Sequence, residues 1–318
     1  METELKPDIR RCLAGTVLLT AAAITLPGVV CAQDRPPQQV HRSDYQPIPD
    51  NVFELATQFY DYDPTYPLNS RIVDAWDDDS GRYEKVVFTS STDDRIPGEI
   101  ALPLHAEGPI PVVLLLHGLG NSKERWARDD RRSLRDSLLA AGIASFAIDL
   151  RYHGERSVEN DYQPPMFLTF GDSLFIRNRN MIIQSAIDAR RAIDFLRSRS
   201  EFDAERIGVV GYSMGGMIGI YLSALEPQLR AVVACAVPTT EQLTPTDHFH
   251  FASRAKVRTM LMIGSDDWLS SPEDIQLLHS MMPKGSQLVF YASGHSLPSE
   301  FGIEAALWLI EELPDRGP

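Results

Sequence analysis

Cysteine is nearly absent from this chain. Its 318 residues include three, Cys12, Cys31 and Cys235, and the first two fall in an N-terminal stretch that reads as a removable leader. Cys235 then stands alone, so no internal disulfide can staple the mature chain. It lies in the apolar run 231–237 and reads as an inert buried side chain. No Cys/His cluster has metal-ligand spacing, so neither a metal nor a cofactor is expected. Basic residues are also in deficit, 30 Lys and Arg against 44 Asp and Glu, for a net charge of −14. Nucleic-acid binding rests on neutralising phosphates with Lys and Arg, so a nucleic-acid partner is excluded. Adhesion to an anionic membrane is disfavoured for the same reason. Long hydrophobic runs are missing as well. The apolar run at residues 13–26 falls short of the about 20 residues that a membrane-crossing helix needs, so no stable membrane insertion is expected.

That short run has a different reading. Arg10 and Arg11 end a charged segment, the apolar stretch follows, Pro27 and Gly28 break it, and Val30-Cys31-Ala32 offers a small-residue cleavage site before Gln33. This is the layout of a secretory signal peptide over residues 1–32, which places the mature protein in the periplasm or outside the cell. The alternative is an uncleaved anchor helix. Removing residues 1–32 takes away three acidic and three basic residues, so the charge stays at −14. Residues 33–82 read as a flexible leader followed by an aromatic arm, with Phe59-Tyr60-Asp61-Tyr62 packing on the main domain at residues 83–313. Hydrophobic residues at 43% and charged residues at 23% fit a globular domain with a large core of its own.

From Tyr83 onward, apolar runs of strand length alternate with helical periodicity. Residues 85–89 and 97–102 read as an antiparallel start. Residues 112–116, 143–148, 207–210, 231–236, 259–263 and 287–291 read as further strands, several apolar without interruption, as expected where both faces are covered. Helical spacing marks 133–141, 182–198, 214–225, 272–282 and 300–312. The alternation predicts an α/β fold with a mostly parallel central sheet and helices on both faces. Sheets of this kind carry their sites at the C-terminal ends of the strands.

One motif stands at such an end. Gly211-Tyr212-Ser213-Met214-Gly215 satisfies G-x-S-x-G between a buried strand and a helix, the context in which the motif has mechanical meaning. The Ser occupies a sharp turn whose flanking residues approach so closely that only Gly fits, and the turn lifts its hydroxyl above the sheet. Ser213 is therefore the candidate nucleophile. His117-Gly118-Leu119-Gly120 follows the strand ending at Leu116. The backbone N–H groups of Leu119 and Met214 are the candidate oxyanion hole, and His117 reads as a loop-holding residue. In elbows of this type the acid and then the base follow the Ser in the chain. His295, in Ser293-Gly294-His295-Ser296 on a loop that small residues keep mobile, is the candidate base. Asp267, in Gly264-Ser265-Asp266-Asp267, is the candidate acid, with Asp266 as the alternative. Tyr212, Trp268 and Phe170 are candidate substrate-pocket residues, Phe170 from an apolar insertion after the strand ending near Asp149. His153 reads as a loop-ordering or pocket residue. His248 and His250 read as exposed, or else as lining the pocket.

The stretches Val113 to Gly120, Ile148 to Arg156, Asp188 to Leu196, Arg206 to Gly216 and Gly294 to Pro298 together resemble the α/β-hydrolase superfamily, in its dienelactone-hydrolase-like branch with secreted, acetyl-xylan-esterase-like members. Dienelactone hydrolases proper carry a Cys nucleophile, whereas this chain has Ser213, like the esterase and peptidase members. The resemblance implies a serine hydrolase that cleaves small-molecule carboxylic esters, of short acyl groups, through a Ser213–His295–Asp267 triad. A peptidase or amidase on the same triad, and an inactive fold used for binding, are the alternatives. Neither sequence nor resemblance specifies an oligomeric state.

Overall fold

The computed structural model describes residues 42, 45–105, 108–163, 165, 175–239 and 244–314. The proposed leader peptide, with its cleavage site, and Phe170 lie outside them. Among the described residues nine strands form one sheet: β1 (Arg71–Asp77), β2 (Arg82–Thr89), β3 (Arg95–Leu102), β4 (Ile110–Leu116), β5 (Ala144–Ile148), β6 (Phe202–Tyr212), β7 (Ala231–Cys235), β8 (Thr259–Gly264) and β9 (Gln287–Tyr291). Their order is β1-β2-β3-β5-β4-β6-β7-β8-β9. The first three strands are antiparallel, and β3 meets β5 antiparallel. From β5 through β9 all pairs are parallel.

Period-two alternation divides the buried strands between two layers. Val112, Leu114 and Leu116 of β4, Val209 of β6 and Val232 of β7 pack on one face, under α3 (Phe175–Ser198), α4 (Met214–Leu225), α5 (His248–Ala252) and α6 (Pro272–Ser280). Val113 and Leu115, Val210, and Val233 with Cys235 point to the opposite face, under α2 (Asp129–Ala140) and α7 (Glu300–Glu312). A strand covered on both sides has no polar face, which is why β4 reads as an unbroken apolar run. Helix α4 is buried along nearly its whole length, as a helix apolar all round must be.

The sheet begins earlier than residue 83. Segment 33–82 was expected to hold only a leader and an arm, yet β1 lies within it and pairs with β2 through Arg71↔Val87 to Asp77↔Arg82. Every residue of β1 is exposed. An edge strand with no covered face carries no alternation to betray it. A short helix, α1 (Asp50–Thr57), also precedes it. Behind α1, Tyr60 is fully buried, with its ring 5.3 Å from Tyr221 and 5.1 Å from Phe251. Arg42 donates to both carboxylate oxygens of Asp247 at 2.8 and 3.1 Å and lies over the Phe249 ring at 4.0 Å.

His248 and His250 are not exposed, which is the first of the two readings the sequence allowed. Both are buried in α5. Nδ1 of His250 meets the Tyr45 hydroxyl at 2.8 Å, while neither ring nitrogen of His248 has a hydrogen-bond partner among the described residues. Burial lowers His248 to about 4, His117 to about 4 and His153 to about 3. These depressed values set a pH dependence. As pH falls below the unfolded value of about 6.5, the unfolded chain takes up these protons before the folded one does. Their stabilising contribution is complete above that value and is lost as pH falls through about 4 for His248 and His117 and about 3 for His153. The unfolding midpoint is therefore expected to drop steadily over that window, and His248→Leu, which removes one of the three groups, should make the drop shallower. Equal slopes for the variant and the native protein in calorimetry at stepped pH would count against this account.

Candidate active site

Strand β6 ends at Tyr212 and α4 begins at Met214, so Ser213 alone makes the turn. Its backbone sits at φ 54° and ψ −115°, a conformation that a non-glycine residue holds only when its surroundings impose it. Its N–H donates to the Cys235 carbonyl at 2.8 Å. A Cβ on Gly211 would fall 2.0 Å from the Gly215 carbonyl oxygen, and one on Gly215 2.2 Å from that of Leu116. Gly211 is thus dictated by the close approach of the chain across the turn, and Gly215 by the end of β4 that packs against it. Positive φ recurs at Tyr152 and Ala236, so strained backbone gathers beyond the C-terminal ends of β5, β6 and β7.

Two loops bring the other polar groups to Ser213. Beyond β8, Asp267 is buried and its Oδ1 accepts the Leu269 N–H at 2.9 Å. Beyond β9, His295 places Nδ1 at 2.9 Å from Asp267 Oδ2 and 3.1 Å from Oδ1, and Nε2 at 3.0 Å from Ser213 Oγ. A carboxylate can only accept, so Nδ1–H donates to Asp267 and the Nε2 lone pair faces the hydroxyl. Such a chain can draw a proton from Oγ and hold the resulting imidazolium. Asp266 is exposed, and its N–H is tied to the Ser293 carbonyl at 3.0 Å.

The Asp267 and His295 loops cross at Gly264. A Cβ there would lie 2.2 Å from the Gly294 carbonyl oxygen and 2.3 Å from that of Ser293. Gly264→Ala is therefore expected to push the loops apart and lower kcat/KM by about a hundredfold, the cost of misplacing reacting groups by about 1 Å. Circular dichroism should still show a folded protein. A folded variant with native kinetics would contradict this view of the crossing.

The third loop runs beside Ser213 from the other side. A Cβ on Gly118 would lie 3.1 Å from the Ser213 Cβ, so the backbone leading to Leu119 passes against Ser213. Met214 opens α4, and an N–H at that position has no intrahelical acceptor. Burial keeps His117 neutral. Its Nδ1–H donates to the Gly118 carbonyl at 2.8 Å, and its Nε2 accepts the Leu150 N–H at 3.1 Å. The buried Asp149 completes this support by accepting from the Lys123 N–H and Nζ, both at 2.9 Å. Glu124, Asp149 and Glu155 converge closely enough to hold a cation, but Lys123 Nζ lies 2.8, 2.9 and 2.6 Å from them. The chain supplies that positive charge itself.

Residues 111–250 match the family model for the alpha/beta hydrolase fold. The chain has the α/β-hydrolase fold. Among solved structures, the α/β-hydrolase arrangement here resembles acetyl xylan esterase 1 from Thermoanaerobacterium sp. JW/SL YS485, at 17% identity and a TM-score of 0.66 over 85% of this chain and 96% of that one. An acetyl xylan esterase from Paenibacillus sp. R4 is similar at 21% identity and a TM-score of 0.65, covering 85% of this chain and 98% of the other. In sequence, the chain is 28% identical over 166 residues to the hydrolase YtaP of Bacillus subtilis (strain 168), a match covering 48% of this chain and 53% of that protein. The chain thus spans about half the length of this curated relative.

On this α/β-hydrolase frame the expected pocket residues fare differently. Tyr212 was expected in the pocket, but it is buried in the layer under α2 and α7. Its hydroxyl is 2.7 Å from the His295 carbonyl and 2.9 Å from the Leu297 N–H. Tyr212 ends a strand, and strand alternation turns its side chain to the face opposite Ser213. Trp268 is 55% exposed beside Asp267. His153 is buried near His117, with ring centroids 5.0 Å apart, and bonds the Arg151 carbonyl at 2.6 Å, which fits loop ordering rather than a pocket wall. Sequence reasoning missed two supports, the Tyr212 hydroxyl and the Lys123–Asp149 pair. An Asp closing a buried strand and a Lys a few residues beyond a Gly-rich loop were the signals available for the second.

Proposed function

We propose that this protein is a serine hydrolase of carboxylic esters, with Ser213 as nucleophile, His295 as general base and Asp267 as the orienting acid. The continuous line of contacts from Ser213 Oγ through His295 to Asp267 carries this reading. Ser213 Oγ attacks the acyl carbonyl carbon while His295 Nε2 takes its proton. The N–H groups of Leu119 and Met214 receive the oxyanion, and losing one such donor costs on the order of a hundredfold or more in rate. Collapse of the tetrahedral intermediate breaks the bond to the alcohol, which leaves with the proton from His295. Water, deprotonated by the same imidazole, then attacks the acyl-enzyme, releases the acid and restores Ser213.

The substrate class follows from two considerations. Two fold neighbours are acetyl xylan esterases, and the only helix described between β7 and β8 is the five-residue α5, too short to roof a long acyl groove. Acetyl and butyryl esters should be hydrolysed faster than palmitoyl esters, without a rate jump at the substrate's micellar threshold. A chain-length series of p-nitrophenyl esters measures this. Preference for the longest chains would overturn the short-acyl assignment while leaving the mechanism untouched.

A further inference from the structure

We propose that Tyr212 is a positioning residue whose hydroxyl holds the His295 loop in register with Ser213. The proposal rests on the reading of His295 as the base. The phenol O–H donates to the His295 carbonyl at 2.7 Å and its oxygen accepts the Leu297 N–H at 2.9 Å. One hydroxyl therefore grips the backbone on both sides of Ser296. Tyr212 adjoins Ser213 in the chain, so the base loop is tied to the residue next to the nucleophile. The distance between Oγ and Nε2 is then set within one rigid unit rather than across a flexible loop.

The ring itself has little freedom. It is 4% exposed, Phe301 meets it edge-on at 5.7 Å, and the Arg131 guanidinium lies 3.6 Å from its centroid. Burial pushes the phenol up to about 12, so it remains a donor throughout the pH range in which a His base works. Packing and clamping are separable here, because the ring does the first and the hydroxyl the second. Upstream, the loop is held by the Asp266 N–H on the Ser293 carbonyl, which leaves the peptides flanking Ser296 to Tyr212.

The test is a double-mutant cycle of Tyr212→Phe and His295→Ala, with kcat and KM measured on a short activated ester and unfolding followed in parallel. Tyr212→Phe alone should lower kcat ten- to a hundredfold, as expected for a misplaced reacting group, and leave KM within about twofold. In the His295→Ala background the same change should cost nothing further, because a group that acts through the base has no effect once the base is gone. A kcat for Tyr212→Phe within twofold of native, or equal fold losses in both backgrounds, overturns the proposal while the base assignment stands. Full activity in His295→Ala overturns the base assignment, and the proposal falls with it. A readout without any variant is hydrogen exchange in the native protein. The Leu297 amide should be protected as strongly as those of the flanking β9 and α7, and an unprotected amide there overturns the clamp.

Discussion

Ser213→Ala is expected to lower ester turnover by about a million-fold, the scale on which a serine nucleophile and its base act as one unit. The fold should survive. In the folded protein Ser213 Oγ contacts His295 Nε2 at 3.0 Å, whereas the turn is held by the Ser213 N–H on the Cys235 carbonyl, a bond that alanine keeps. The strained backbone at φ 54° is no worse for alanine than for serine. The unfolding midpoint should therefore stay close to native while initial rates on p-nitrophenyl acetate collapse and fluorophosphonate labelling disappears. Near-native turnover by the variant would end the assignment of Ser213. Absence of labelling in the native protein would point instead to an inactive fold.

Asp267→Asn should cost about ten-thousandfold in kcat, the scale seen when an uncharged amide replaces the acid of such a triad. The loss has a specific geometric origin. The Leu269 N–H donates to Oδ1, so an asparagine would place its carbonyl oxygen there and its amide nitrogen in the place of Oδ2. Oδ2 is the atom nearer Nδ1, at 2.9 Å. The amide would donate to Nδ1 and force the proton onto Nε2, which could then no longer accept from Ser213. The variant would also lack the charge that stabilises the imidazolium. Asp266→Asn, at an exposed position whose backbone alone is engaged, should change kcat little, as surface substitutions generally do. Steady-state kinetics on both variants decide the matter, and a larger loss for Asp266→Asn would exchange the two roles.

Strands β4, β5, β7 and β8 and the buried part of β6 were legible in the sequence because burial on both faces leaves an unbroken apolar run, whereas the polar start of β6 at residues 202–206 was not. Helix α4 was legible to the residue because the elbow marks its start. The Ser213 turn could be read from its two glycines, since the chain's close approach there admits nothing larger. Strand β1 was not legible, because an edge strand exposed on both faces bears no pattern. Nor was the burial of His250, whose ring is met by Tyr45 from far upstream in the chain.

By itself, then, the sequence determined the alternation of elements, the parallel sheet, and the three loops that had to converge at its C-terminal end. These follow from local periodicity and from glycines that only one turn geometry explains. Tertiary structure alone decided which of two adjacent aspartates faces His295, because the choice depends on where the Ser293 carbonyl anchors the Asp266 N–H. It alone also turned Tyr212 away from the pocket and under the His295 loop. The two ends of that contact lie 83 residues apart, a separation at which no local pattern in the chain specifies a hydrogen bond.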